Sequence, residues 1–312
     1  MIFDWKLKQT EAVFDRIRKE EDHRIPKQKI LITLLFLFLL LTAELAASFV
    51  RSIIRNTFFT EESYVSPARL LVLMYTTLIS TLVVLFGVRL IERRSFRTMG
   101  LTRHHMLRNY AAGGVLGFAM IAAAFLLQVA AGALYNTGAA PTLPNLAGIL
   151  LIFGWMLQGF NEELIFRGWL MMSVGTVSKA WTAVIYSSVF FMLFHLGNDG
   201  ISPLACLNLT LFGIVTALLI LRTDSIWAAS AMHSAWNWGQ GNFFGCKVSG
   251  IDPGVSVLKF AHSNAPDILT GGSFGPEGSI LTTAVLIPVA ILLLFSRRGS
   301  GAANDLKQAT PA

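Results

Sequence analysis

Three polar clusters between residues 158 and 240 interrupt apolar stretches that are long enough to cross a membrane. A charged side chain at the centre of a bilayer costs about 2.5–3.5 kcal/mol, so such groups persist where they are paired or line a water-filled cavity. The clusters therefore predict a polar chamber within the membrane. In chain order they are Asn161-Glu162-Glu163-x-x-x-Arg167, Phe191-x-x-x-His195 and His233-x-x-x-Asn237.

The two adjacent glutamates are predicted to have different roles. Residues four apart share one face of a helix, whereas neighbouring residues point about 100° apart. Glu163 is therefore expected to pair with Arg167 and to support the site structurally, while Glu162 faces the cavity. A carboxylate in such a cavity can accept a proton from water and later return it.

The histidines and Asn237 supply the other groups that hydrolysis of a peptide requires. Histidine exchanges protons near physiological pH, and two adjacent donors such as His233 and Asn237 can hold a developing oxyanion. We therefore predict that Glu162 and His195 activate water. His233 and Asn237 would stabilise the tetrahedral intermediate.

Each cluster taken alone also has a structural explanation. An intramembrane histidine such as His195 is often a hydrogen-bond partner between helices, and a glutamate pair can belong to a salt-bridge network. Glu44 is a further acid within an apolar segment, and snorkelling towards the outer interface is its simplest interpretation. The occurrence of all three clusters together favours a functional chamber.

The elements that must position these clusters are membrane helices. The chain has 312 residues, of which 54% are hydrophobic and 14% charged, and its mean hydropathy is +0.60. This composition excludes an ordinary soluble globular protein, and each spanning helix needs about 20 apolar residues. We predict an all-α polytopic bundle with about eight transmembrane helices around an intramembrane catalytic chamber. The predicted spans are Ile30–Val50, Leu70–Ile91, Tyr110–Tyr135, Leu146–Met172, Trp181–Leu196, Pro203–Leu221, Ile226–Gln240 and Ile280–Phe295.

The distribution of the net charge of +7 predicts how the bundle is oriented. Lysine and arginine are enriched in cytoplasmic loops, and they concentrate here before the first span, at 92–109 and after the last span. We expect a cytosolic basic segment at 1–29, a membrane-embedded protease domain at 30–296 with its core motifs at 158–240, and a cytosolic disordered tail at 297–312. The chain would be a multi-pass protein of a bacterial inner membrane with both termini in the cytoplasm. Its basic residues would contact membrane lipid, and nothing indicates a nucleic-acid partner.

The order and spacing of the three clusters resemble the CPBP family of intramembrane proteases, which includes CaaX proteases, bacteriocin-processing proteins and Rce1-like prenyl-protein endopeptidases. Two weaker similarities flank them, at Ser95-Phe96-Arg97-Thr98-Met99-Gly100-Leu101 and at Leu269-Thr270-Gly271-Gly272-Ser273-Phe274-Gly275-Pro276-Glu277-Gly278. The resemblance implies an endopeptidase whose substrate is a membrane-embedded or membrane-anchored peptide or protein. It assigns water activation to Glu162 and His195, the oxyanion site to His233 and Asn237, and support of the helix to Glu163 and Arg167.

The catalytic type stays open between a glutamate-type protease and a metal-dependent one, because the family has been described in both ways. Glu162, His195 and His233 could ligate zinc. However, the chain has no His-Glu-x-x-His motif, whose spacing would predict a zinc site from the sequence. The cofactor is therefore either zinc or none.

Two other classes of function use the same residues differently. A proton-coupled transporter or channel would employ the acids and histidines as a relay, but it predicts broken helices in two related halves, which the sequence lacks. A catalytically silent protein of the bacteriocin-immunity type would retain the fold without its chemistry. The joint presence of Glu162, His195, His233 and Asn237 favours the protease.

Overall fold

A computed structural model describes residues 13–15, 17–19, 23–138 and 146–296, so the predicted tail at 297–312 lies outside the described residues. Each of the eight predicted spans contains a helix. The α-helices are α1 Lys29–Phe58, α2 Ala68–Leu90, α3 Met106–Ala130, α4 Leu146–Glu163, α5 Met172–Val177, α6 Ala180–Phe194, α7 Pro203–Thr223, α8 Ile226–Trp238, α9 Asp267–Thr270 and α10 Ile280–Phe295. Two π-helical segments, Leu164–Met171 and Gly239–Phe243, follow α4 and α8, and short 3₁₀ turns lie at Phe96–Met99, Gly272–Phe274 and Pro276–Gly278.

Among the residues that the structure describes, five helical stretches are long and apolar enough to cross a membrane. These are α1, α2, α3, α7 and the continuous helix Leu146–Val177. Helices α6 and α10 are apolar but shorter, and large side chains such as Phe38, Phe49 and Phe86 are exposed on the outer surface, where lipid would contact them. The prediction of a polytopic helical membrane bundle is therefore confirmed, and the number eight stays a prediction.

The structure differs from the sequence-based expectation where α3 ends. The predicted span continued to Tyr135, but the helix ends at Ala130 because Gly132 adopts a left-handed conformation with φ of 68°. The chain then forms strand β1 (Leu134–Asn136), which pairs antiparallel with β2 (Phe260–His262). A two-stranded sheet is thus added to a bundle that was expected to be entirely helical.

Helix α8 lies between α3 and α4 because small residues allow close approach. A Cβ atom at Gly113 or Gly117 of α3 would collide with the α8 backbone at Ala228 and Met232. Small residues at such contacts are typical of helix packing in membranes. The close packing on α3 directs the opposite face of α8, which carries His233, towards α4.

One end of the bundle, here called the basic end, is held together by contacts between the N-terminal region, the α2–α3 loop and the α7–α8 turn. Arg18 donates from Nη2 to the carbonyl of Gly175 at 2.8 Å, and Trp227 Nε1 donates to the carbonyl of Thr102 at 2.8 Å. Arg222 Nε donates to the carbonyl of Leu293 at 2.8 Å. The beginning of α1 and the end of α10 therefore lie at the same end of the molecule.

The opposite end, here called the loop end, is formed by the longer connections. Ser66 Oγ donates to the carbonyl of Asp252 at 3.0 Å, and Gln128 Nε2 donates to the carbonyl of Pro276 at 3.1 Å. Together with the β1–β2 pairing, these bonds fix the 244–279 connection across the ends of α2 and α3.

A fully buried ion pair stabilises the basic end. Arg94 Nη1 lies 2.9 Å from Glu92 Oε2 and 2.7 Å from Ser173 Oγ, while Arg94 Nε donates to Thr98 Oγ1 at 3.1 Å. Glu92 Oε1 accepts a hydrogen bond from Trp169 Nε1 at 3.0 Å. The segment 95–101, which resembled the protease family in sequence, therefore packs against the helix that follows Glu163.

Replacing Arg94 with alanine is expected to lower the free energy of unfolding by about 3–5 kcal/mol, because Glu92 would stay buried without a counter-charge. Arg97→Ala is the matched control, since Arg97 is exposed in the same turn and should change stability by less than about 0.5 kcal/mol. Thermal unfolding of both variants in detergent, followed by tryptophan fluorescence, measures the difference. Equal melting temperatures for the two variants would contradict a stabilising role of the pair.

Candidate active site

A cavity of about 230 Å³ lies inside the bundle, and residues of α1, α2, α4, α6, α7, α8 and α10 line it. Its wall combines apolar and aromatic side chains with polar and charged ones, and most of the surface that the wall presents to the cavity is apolar. The polar lining includes all four predicted catalytic residues, Glu162, His195, His233 and Asn237. A concave cavity with a mainly apolar surface and polar groups that can orient a ligand is typical of a substrate site.

The end of α4 separates the two adjacent glutamates. The Glu163 side chain is fully buried and lies 3.4 Å from Arg167 Nη1, while the Glu162 side chain is 12% exposed and lines the cavity. The helix continues as the π-helical segment Leu164–Met171, a wide turn that occurs often at functional sites. The glutamates therefore point in different directions, as their spacing predicted.

Glu162 approaches the Nε2 atoms of both histidines. Its Oε1 accepts a hydrogen bond from Gln158 Nε2 at 2.7 Å. Its Oε2 lies 4.0 Å from His195 Nε2 and 3.7 Å from His233 Nε2, and it has no hydrogen-bond partner among the described residues. One unpartnered carboxylate oxygen and two imidazole nitrogens therefore surround a common space inside the cavity.

Each imidazole is oriented by a bond at its other nitrogen. His195 Nδ1 lies 2.8 Å from the carbonyl oxygen of Phe191, and His233 Nδ1 lies 2.9 Å from Glu163 Oε1. A carbonyl or carboxylate oxygen accepts hydrogen bonds, so both Nδ1 atoms carry the proton. In the neutral ring, Nε2 then presents a lone pair towards Glu162. A water molecule placed between them could give its proton to any of these acceptors.

Gln158 links Asn237 to Glu162 and was not identified from the sequence. Asn237 Nδ2 donates to Gln158 Oε1 at 3.0 Å, and Gln158 in turn donates to Glu162. The available signal was its position one helical turn before Glu162, which places both on the same face of α4. This chain of bonds orients the Glu162 carboxylate relative to Asn237.

Arg167 supports the site through an aromatic ring as well as through Glu163. Its guanidinium carbon lies 4.3 Å from the centroid of the Phe191 ring, which packs on His195 with ring centroids 4.6 Å apart. A guanidinium over an aromatic face is attracted by the ring quadrupole. Arg167 thus contacts the residues that hold both histidines, namely Phe191 and Glu163.

Glu277 is a second acid in the chamber that the sequence analysis did not single out, although it lies in the 269–278 segment that resembled the family. Its Oε1 accepts hydrogen bonds from the backbone N–H of Ser249 and, at 2.7 Å, from Ser249 Oγ. The Ser249 carbonyl accepts from Asn198 Nδ2 at 3.1 Å, and Asn198 N donates to the carbonyl of His195 at 3.0 Å. Burial raises the pKa of the Glu277 carboxyl, and the bonds from Ser249 oppose that rise. Glu277 therefore ties the 244–279 connection to the end of α6.

Removing Glu277 is expected to reduce activity by displacing His195. Glu277→Ala loses both bonds to Ser249, each worth about 0.5–1.5 kcal/mol, and should lower kcat/KM by about tenfold or more. Glu277→Gln keeps an acceptor oxygen and should retain most of the activity. Steady-state kinetics of the two variants separate positioning from charge, and equal losses in both would show that the carboxylate charge itself is required.

Glu44 also lines the chamber and has partners. It lies 3.7 Å from Arg51 Nη2 and accepts a hydrogen bond from Ser80 Oγ at 3.4 Å. The interpretation of an isolated acid that snorkels to the interface is therefore replaced by a paired acid on the chamber wall. The bond from Ser80 could not be predicted from the sequence because Ser80 is on α2, whereas Arg51 lies two turns after Glu44 on α1.

The residues named as possible zinc ligands have suitable donor atoms. Both histidines offer Nε2 while Nδ1 is held by an oxygen, which is the usual orientation of metal-bound histidine. However, no group of three or more His, Cys, Asp or Glu side chains within the described ranges is arranged to hold a metal ion. Glu162 Oε2 lies 4.0 Å from His195 Nε2 and 3.7 Å from His233 Nε2, so the three side chains lie close together without being drawn into a ligand set.

Comparison with known proteins bears on the same part of the chain. Residues 144–239 match the family model described as type II CAAX prenyl endopeptidase Rce1-like. This match confirms the family resemblance over the segment that contains all three polar clusters. A search of curated proteins gives no match.

Proposed function

We propose that this chain, whose residues 144–239 form an Rce1-like endopeptidase domain, hydrolyses a peptide bond of a membrane-embedded or membrane-anchored peptide or protein. The observation that carries the proposal is the convergence of Glu162 Oε2 with the Nε2 atoms of His195 and His233 within 4.0 Å, inside a buried cavity. Such an arrangement suits a water molecule that must lose a proton as it attacks a carbonyl carbon.

In the proposed reaction Glu162 is the general base. It takes a proton from water, assisted by His195, while the water oxygen bonds to the carbonyl carbon and the C–O π bond opens to give an oxyanion. Asn237 uses one N–H of its amide for Gln158, and the other N–H can donate to the oxyanion. His233, when protonated at Nε2, donates from the other side, and Glu163 stabilises the imidazolium. Collapse breaks the C–N bond, and Glu162 returns the proton to the leaving amine.

The extent of the chamber favours hydrolysis over transport. A transporter or channel needs a path that can open to both faces of the membrane. The described residues that line the cavity include side chains from the loop end but none from the loops of the basic end. A catalytically silent protein is disfavoured because Gln158, Phe191 and Glu163 orient Glu162, His195 and His233 individually, an arrangement that immunity alone would not require.

We propose a glutamate-type mechanism, and cleavage is accordingly expected to resist metal chelation. The placement of Glu162, His195 and His233 supports this expectation, because Glu162 Oε2 has no hydrogen-bond partner among the described residues and lies 3.7–4.0 Å from the two Nε2 atoms, where a general base could share a water molecule with them. Purified protein would be assayed before and after treatment with 1,10-phenanthroline, and its zinc content measured by mass spectrometry. Loss of activity together with loss of one zinc per chain, and recovery on adding zinc, would instead identify a metal-dependent peptidase.

We propose that the protein lies in the cell membrane with both termini on the cytoplasmic side. The basic end carries thirteen of the described lysines and arginines and the loop end carries five, and cytoplasmic ends are the ones enriched in these residues. Those of the basic end are Arg18, Lys19, Arg24, Lys27, Lys29, Arg89, Arg93, Arg94, Arg97, Arg103, Arg108, Lys179 and Arg222. Those of the loop end are Arg51, Arg55, Arg69, Lys247 and Lys259.

The function is tested by comparing peptide termini in membranes from cells that express either the wild type or Glu162→Gln at matched abundance. New termini that appear only with the wild type would demonstrate proteolysis and identify the substrate. Identical termini from cells that contain candidate membrane peptides, with both proteins folded and inserted, would reject the endopeptidase proposal.

A further inference from the structure

The chamber lies towards the loop end of the bundle. Every lining residue that falls outside the helices belongs to that end, in the connections 195–202 and 244–279. These residues are His195, Asn198, Val248, Ser249, Ile251 and Glu277. The described loops of the basic end contribute no lining residue. A substrate can therefore reach Glu162 from the loop end without passing through the basic end.

Part of the chamber wall reaches the protein surface, and this part includes Arg51 and Ile251 of the loop end. Arg51 lies in the last third of α1, and the side chains of Glu44 and Arg51 are 36% and 21% exposed. Ile251 of the 244–279 connection is 39% exposed. By contrast the histidine and glutamate side chains that meet at Glu162 are at most 12% exposed. These wall residues are more exposed than the reacting groups, and Arg51 and Ile251 belong to the loop end, so the chamber reaches the surface beside them, at its entrance.

The edge of that entrance is held in place by hydrogen bonds. Gly250 N donates to the carbonyl of Phe274 at 2.8 Å, and Ser249 is bonded to both Glu277 and Asn198. These bonds fix residues 248–251 beside the cavity, so the entrance is a feature of the folded chain.

We infer that the chamber opens on the non-cytoplasmic face of the membrane, and that its substrates are peptide segments presented on that face or in the adjacent leaflet. The inference combines the position of the entrance at the loop end with the excess of lysine and arginine at the basic end. The substrate class rests on the proposed peptidase function. The direction in which the chamber opens does not depend on that function. A protease with this orientation acts on exported or outer-leaflet peptides, and soluble cytosolic peptides have no access to it.

Cysteine labelling in spheroplasts tests the direction without any measurement of activity. In a background with Cys206 and Cys246 changed to alanine, single cysteines would replace exposed residues Asp199 or Asp252 at the loop end and Arg103 or Lys179 at the basic end. A membrane-impermeant maleimide should label Asp199→Cys and Asp252→Cys in intact spheroplasts. Arg103→Cys and Lys179→Cys should react after permeabilisation. The reverse pattern, or equal labelling at both ends, would overturn the inference.

A cysteine at the entrance tests whether the chamber itself is reached from that face. Ile251→Cys should react with the same impermeant maleimide in intact spheroplasts, and a larger maleimide added from outside should then stop cleavage by spheroplasts. If Ile251→Cys reacts only after permeabilisation, the entrance faces the cytoplasm and the inference is wrong. If labelling is external but no variant or wild-type protein cleaves any peptide, the direction stands and the proposed function fails.

Discussion

Glutamine in place of Glu162 is expected to reduce peptide hydrolysis by about 10²–10⁴-fold, the usual contribution of a general base. Glutamine has the size of glutamate and can keep a bond to Gln158, so the protein should remain folded. However, the amide of glutamine cannot take a proton from a water molecule that lies between Oε2 of residue 162 and the two histidines. The loss should appear in kcat, because the group acts on the reacting water and leaves the rest of the substrate site intact.

The measurement is single-turnover cleavage of a peptide identified from the termini comparison, with Glu162→Gln and wild type at equal concentrations of folded protein. His195→Ala should produce a loss of similar size, since its Nε2 faces the same space. The matched control is Glu61→Gln. The Glu61 side chain lies on the surface and is 84% exposed, so this change should leave the rate unchanged. Full activity in Glu162→Gln would remove the proposed mechanism.

Replacement of Arg167 by alanine should destabilise the protein by about 3–5 kcal/mol, the usual effect of removing one partner from a buried pair. Both side chains of the Glu163–Arg167 pair are fully buried, and the guanidinium also packs on the Phe191 ring. Without Arg167 the Glu163 carboxylate would have only His233 as a partner of opposite charge. The change should therefore lower the abundance of folded protein more strongly than the catalytic rate per folded molecule.

A double-mutant cycle distinguishes lost charge compensation from lost packing. Arg167→Met keeps much of the side-chain volume, and Glu163→Gln removes the charge that would be left uncompensated. The double variant should be more stable than Arg167→Met alone, because it buries no unpaired charge. Melting temperatures of the wild type, the two single variants and the double variant in detergent provide the measurement. Strictly additive losses would contradict an energetic coupling between the two side chains.

The sequence predicted much of the fold because lipid imposes strong local requirements. A spanning segment must be apolar and must satisfy its own backbone hydrogen bonds, so helices can be located from composition alone. The structure differs from the prediction where contacts between distant parts of the chain override the local sequence pattern. Strand β1 was read as the end of a helix, since Leu134 and Tyr135 are as apolar as a membrane span.

The candidate site was predictable where its contacts run along one helix. Glu163 and Arg167 are four residues apart, and helical geometry alone brings them together. Gln158 has the same relation to Glu162, yet its importance depends on Asn237, which reaches it from another helix. Glu277 lies 115 positions further along the chain than Glu162, in a segment that composition marks only as a loop.

The sequence by itself determined that the chain is a helical membrane protein and which acids, histidines and amide could act together, because helical periodicity and the cost of intramembrane charge are local properties. Only the tertiary structure decided which imidazole nitrogen faces Glu162, which residues orient those groups, and at which end of the bundle the chamber lies. These features depend on distances between helices that are far apart in sequence. Such distances are set by packing, as where Gly113 and Gly117 let α8 approach α3 and turn His233 towards Glu163.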